Sequence, residues 1–113
     1  MRDIIKNFIA ILKVEIDDLA ADINLLIQEC QQKKDQKQIT DYVYMENMAL
    51  FRHELTAVDS FRRIIEHTDP TQFSTLEDLI AYLKDAFREG GYVRAINICV
   101  ERKMQKVSRY VTQ

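Results

Sequence analysis

The chain of 113 residues holds two glycines, adjacent to one another, and a single proline. Turns draw heavily on both residue types, so their scarcity argues against a strand-rich fold with many reversals. Cysteine is equally sparse: Cys30 and Cys99 stand alone, without a C-x-x-C spacing. Both fall on apolar helical stripes and are expected to be buried, reduced thiols of a cytoplasmic protein rather than a disulfide or a metal site. No run of apolar residues approaches the ~18 uncharged positions of a membrane span. The opening "MRDIIKNFIAIL" is broken by Lys6, Asn7 and Lys13, and no small-residue cleavage site follows, so it reads as part of a soluble domain and not as a leader.

What the chain has is periodicity. Ile5, Ile9, Leu12, Ile16, Leu19, Ile23, Leu26 and Cys30 recur at spacings of four and three, which is a heptad seam on a helix over about 3–33. Such a seam serves a parallel coiled coil or an antiparallel bundle, and the bundle is the commoner use in a globular chain. Ile4, Phe8, Ile11, Leu25 and Ile27 lie off the seam, so at least two neighbours are required. A second helix over about 36–66 carries two stripes: Tyr44, Met48, Phe51, Leu55, Val58 and Ile65, and beside them Val43, Leu50, Ala57, Phe61 and Ile64. Asp35 with Gln38 has capping-box spacing at its start, Asp69-Pro70 suits a new helix start, and Ser74 with Glu77 repeats the box. A third helix over about 75–89 would turn Leu76, Leu79, Ile80, Leu83 and Phe87 inward and stop at Gly90-Gly91. A fourth, over about 92–111, would bury Val93, Ile96, Val100, Val107 and Tyr110.

The expectation is an all-α single domain, an antiparallel four-helix bundle with two long and two shorter helices. At 1.5 Å per residue the long pair would span about 45 Å and the short pair about 20 and 30 Å. Either the long helices bend, or part of their apolar surface projects and calls for another chain, which favours a homodimer or a stable protein partner.

The formal net charge of −2 is unevenly spread: residues 1–34 carry −1, residues 35–91 carry −5 and residues 92–113 carry +4. A basic last helix on an acidic body disfavours whole-surface nucleic-acid binding but permits one local basic contact. Arg102, Lys106 and Arg109, with Lys103 beside them, could meet phosphates, with Tyr110 stacking on a base. The alternative is pairing with acidic residues of the second and third helices. Met45 and Met48, with Tyr42, Tyr44 and Phe51, could form an adaptable partner surface or simply core.

"RRIIEHTDP" places Arg62 five residues before His67, one of only two histidines, the other being His53. Arg62-x4-His67 resembles the arginine-x4-6-histidine motif of the HEPN ribonucleases, small helical bundles that often dimerise around a shared RNA-cleaving cleft. The resemblance implies that Arg62 would stabilise charge on a phosphate and that His67 would transfer a proton or position the phosphate. That motif usually places a small polar residue after the arginine, where this chain has Arg63. On a regular helix Arg62 and His67 stand about 140° apart, so Arg63 is the better neighbour of His67. The competing reading is that Arg62, Arg63 and His67 complement the negative end of a helix. Glu15, Asp18 and Asp22 resemble one acidic cluster of the MazG-type nucleotide pyrophosphohydrolases, without a second cluster; the alternative is a solvated helix edge. Positions 50 and 64 are Leu and Ile, so neither histidine has the Glu-x-x-His pair of a di-iron bundle.

No cofactor or metal site emerges from these patterns. The function expected is therefore protein–protein interaction by a small non-catalytic, self-associating helical protein, of a regulatory, chaperone-like or immunity-like kind, with Ile9, Ile16, Ile23, Met45 and Met48 as candidate contact residues. A HEPN-like ribonuclease and nucleic-acid binding through the last helix are the alternatives.

Overall fold

The computed structural model describes residues 2–113 and contains four α-helices: α1 (Arg2–Asp35), α2 (Asp41–Glu66), α3 (Leu76–Arg88) and α4 (Arg94–Val111), with one 3-10 turn at Pro70–Gln72. The fold is all-α, an antiparallel bundle. α1 and α2 form a long hairpin, with Asp17 opposite Arg62 near the open end and Lys34 over the Tyr44 ring near the turn. α3 and α4 pack across the part of the hairpin nearer the chain termini.

The core is built from the α1 seam. Ile5, Ile9, Leu12, Ile16 and Ile23 are buried with Phe8, and α2 contributes Ala57, Val58, Phe61 and Ile65. Leu79, Leu83 and Phe87 of α3 and Ile96, Val100, Met104 and Val107 of α4 complete it. Each large apolar side chain removed from water here stabilises the fold by about 1.5–3 kcal/mol. The Phe87 ring meets Phe61 edge-on at 5.1 Å and stacks on Tyr92 at 5.3 Å, and Tyr92 in turn meets His53 of α2 at 5.7 Å. This aromatic series fastens the α3–α4 connection to α2. Gly91 adopts φ +68°, the left-handed conformation that a side chain resists, and a Cβ on Gly90 would collide with the Tyr92 ring. The glycine pair is therefore required twice, once for the turn and once for the approach of that ring.

Several local signals act differently from the sequence expectation. Asp35 and Gln38 do not cap α2. Asp35 ends α1, and the backbone closes a Schellman turn, with Lys37 N–H donating to Lys34 O and Gln38 N–H to Lys33 O. Lys37 takes the left-handed position at φ +59°, where glycine is usual, so composition could not reveal the stop. Thr40 is the true cap of α2, accepting from the Val43 N–H. The cap of α3 is likewise Thr75 and not Ser74, its hydroxyl oxygen accepting from the Asp78 N–H. Asp69 accepts from Thr71 as expected, but only one 3-10 turn follows. In α4, Val93 and Tyr110 are exposed while Met104 is buried, and Cys99 is exposed although Cys30 is buried. The α4 core stripe therefore runs through Ile96, Val100, Met104 and Val107, and Cys99 sits on its outer side.

The length mismatch resolves by projection. Beyond Ile23 of α1 and before Ala57 of α2, only Cys30 and Met48 are buried, and both stand apart from the main core. Residues 24–35 and 41–52 thus form a two-helix arm of about 18 Å on a molecule 54 Å long.

Replacing Lys37 by glycine should relieve its left-handed backbone and stabilise the chain by about 0.5–1 kcal/mol. A thermal midpoint several degrees higher would show this, whereas an unchanged midpoint would mean that Lys37 is not strained.

Candidate functional site

Glu15 of α1 is the most enclosed carboxylate in an ion pair: its side chain is 13% exposed, and it meets Lys106 Nζ and, at 4.0 Å, Lys103 Nζ of α4. The hydrogen bond from Lys106 holds the Glu15 carboxyl below its ordinary value, the charges of Lys103 and Lys106 adding to it and partial burial opposing it. The basic row of α4 is therefore answered by α1, not by the acidic stretches of α2 and α3 as its charge balance suggested. A second pair joins the helices the other way round, with Arg88 of α3 donating to Glu101 of α4 at 2.7 Å. Helix periodicity predicted the row but not its partner, because the register of α4 against α1 has no local signature.

The Glu15–Lys106 pair forms part of the wall of an open cleft of about 740 Å³ between α1 and α4. Ile11 and Val107 supply its apolar surface, while Arg102, Arg109 and Tyr110 line its α4 side. Arg102, Lys106 and Arg109, expected as contact residues, are thus brought together, and Tyr110 joins them because it is left outside the core. Among the described residues neither Arg102 nor Arg109 forms an ion pair. Asp18 and Asp22 are exposed on α1, whereas Glu15 is turned to α4, so these three acids do not share one environment.

Arg62 is engaged elsewhere. It donates from Nε to Glu66 at 3.0 Å and from Nη1 to Asp17 of α1 at 2.5 Å. Both carboxylates raise its pKa, Glu66 most. His67 is the exposed residue closing α2, with its backbone N–H donating to Arg63 O and that of Thr68 to Ile65 O. The arginine that the HEPN resemblance would place on a phosphate is thus occupied by two acids of its own chain.

Ile9, Ile16, Ile23 and Met48 are buried within the single chain, which corrects their expected place on a partner-facing seam. Met45 alone of that set is exposed. The arm carries Leu25, Leu26, Val43 and Leu50 exposed side by side, whereas Val14, Tyr82, Val93, Ile98 and Tyr110 are exposed on the body. Val43 and Leu50 belong to the stripe that continues into Ala57 and Phe61, whose burial ends where α3 and α4 end. Among the described residues no helix is long and apolar enough to cross a membrane. Comparisons with protein-family models, curated proteins and solved structures found no match.

Glu15→Gln should reveal what the α1–α4 ion cluster contributes. A carboxyl whose folded pKa is depressed adds stability that is complete above its ordinary value of 4.5 and lost as pH falls through the lower folded value. The substitution should cost about 1 kcal/mol at pH 7, a modest figure because Lys106 is 67% exposed and therefore screened. Urea denaturation at pH 7 and pH 3 should show the difference between the two proteins shrinking in acid. A constant difference would assign the loss to packing.

Proposed function

We propose that the protein acts through protein–protein contact and that it self-associates by pairing the arms of two copies. The observation that carries this reading is the apolar stripe of α2, buried at Ala57 and Phe61 yet exposed at Val43 and Leu50, together with Leu26 on the facing edge of α1. In the body of the molecule the same side of the hairpin is covered by α3 and α4. On the arm it lacks that covering, and a second arm would supply two further helices and restore a four-helix cross-section.

Charge favours this occupant. On α1 the exposed edge beside Leu25 and Leu26 carries Asp22, Glu29 and Lys33 in succession. An antiparallel copy related by a two-fold axis near the middle of that segment would set Lys33 of one chain against Asp22 of the other, twice, and would leave the two Leu26 positions about 4.5 Å apart along the helix axes, within one turn of each other. Isologous pairing of this kind closes at two chains and does not propagate. Non-catalytic helical proteins with a regulatory, chaperone-like or immunity-like role would use such an assembly to present their remaining surface. The soluble and cytoplasmic character expected from composition fits a reduced Cys30 within the arm.

Light scattering behind size exclusion should give the mass of a dimer at micromolar concentration. Leu50→Glu, an exposed position in the monomer, should yield a folded monomer with an unchanged helical circular dichroism spectrum. A wild-type chain that remains monomeric at high concentration would sink the proposal, as would a Leu50→Glu variant that still dimerises.

A further inference from the structure

From the cleft between α1 and α4 we infer that the protein has a binding site for a small organic anion with an aromatic or apolar body, of about the size of a nucleotide. At about 740 Å³ the cleft falls within the ~300–1,000 Å³ typical of small-molecule sites. Its lining mixes apolar, aromatic and charged groups. Ile11 and Val107 offer apolar surface, and Tyr110, which is 65% exposed, presents a ring on which a planar group can stack.

Arg102 and Arg109 lie two helical turns apart, about 10.5 Å along one side of α4. Among the described residues both lack an acidic partner, although the neighbouring Lys103 and Lys106 are satisfied by Glu15. Glu15 therefore settles the lysines and leaves the two guanidinium groups for an external anion. Arginine binds carboxylate and phosphate with two parallel hydrogen bonds, which gives the anion an orientation as well as a charge partner. An inorganic anion would satisfy the guanidinium groups without using the apolar surface beside them. A long polyanion such as RNA would meet the exposed Asp18 and Asp22, which follow Glu15 along α1, so confined positive charge beside an acidic helix favours a compact ligand.

The test uses 8-anilinonaphthalene-1-sulfonate, an aromatic sulfonate whose fluorescence rises on leaving water, titrated into the full chain. Saturable binding is expected to weaken about tenfold or more in the Arg102→Gln/Arg109→Gln double variant, since each charge-assisted contact is lost. Tyr110→Ala should weaken it about fivefold or more. Leu50→Glu, on the arm, should leave it unchanged. Adenosine monophosphate and dodecanoate are then added as competitors: displacement by the first identifies an aromatic nucleotide body, and displacement by the second an alkyl one. Absence of saturable binding, insensitivity to the double variant, loss in Leu50→Glu, or no displacement by either competitor would overturn the inference. Inorganic phosphate competing as well as adenosine monophosphate would do so too, because the apolar half of the site would then have no role. Circular dichroism of each variant confirms that these exposed substitutions leave the fold intact.

Discussion

The apolar seam of α1 cannot be buried by any single neighbour, and the rest of the molecule is arranged around that constraint. A helix of 34 residues with an apolar side chain at every third or fourth position exposes far more hydrocarbon than one antiparallel partner can cover. α2 covers it along its length, and α3 and α4 add a second layer over the stretch from Ile5 to Ile23. Phe8, off the seam but fully buried, shows how wide the covered surface is in that stretch. Where the second layer stops, the same pattern of residues continues with nothing over it.

The ion pairs are secondary to this packing but decide how the outer helix is held. α4 has no side-chain cap at its start, where Val93 stands, and its first turn is steadied instead by Asn97, whose amide donates to the carbonyls of Tyr92 and Val93. Farther along, Glu15 draws Lys103 and Lys106 towards α1. The arginines on either side of Lys106 remain turned to solvent along the cleft. A structural ion pair and an open cationic site thus arise from one row of basic residues because α1 offers a single carboxylate at that depth.

Much of the architecture was legible in the sequence, for identifiable reasons. The seam from Ile5 to Ile23, the inward face of α3 and the stop at Gly90-Gly91 follow from helical period and from glycine chemistry, which act locally. The turn at Lys37 was not legible, because a lysine in the left-handed region leaves no compositional mark. The exposure of Leu26 and Leu50 was also hidden: Leu26 matches the buried Leu12 by type, Leu50 is larger and more apolar than the buried Ala57 of the same stripe, and only the lengths of α3 and α4 separate them. For the candidate sites the sequence supplied Arg102, Lys106 and Arg109 but misplaced Tyr110 in the core. It left Ile9, Ile16 and Ile23 as candidates for a partner contact as well as for the core, because period alone cannot say which chain provides the covering helix.

The two cysteines acquire distinct physical meanings from this arrangement. Cys99 lies exposed on the outer side of α4 and is open to a thiol reagent in the folded state. Cys30 is covered only by the arm, a segment with few buried apolar groups and hence a low free energy of local opening compared with the body. Its reactivity would therefore follow local opening of the arm. A single chain thus carries one thiol open to reagent in the folded state and another shielded by the packing of two helices alone.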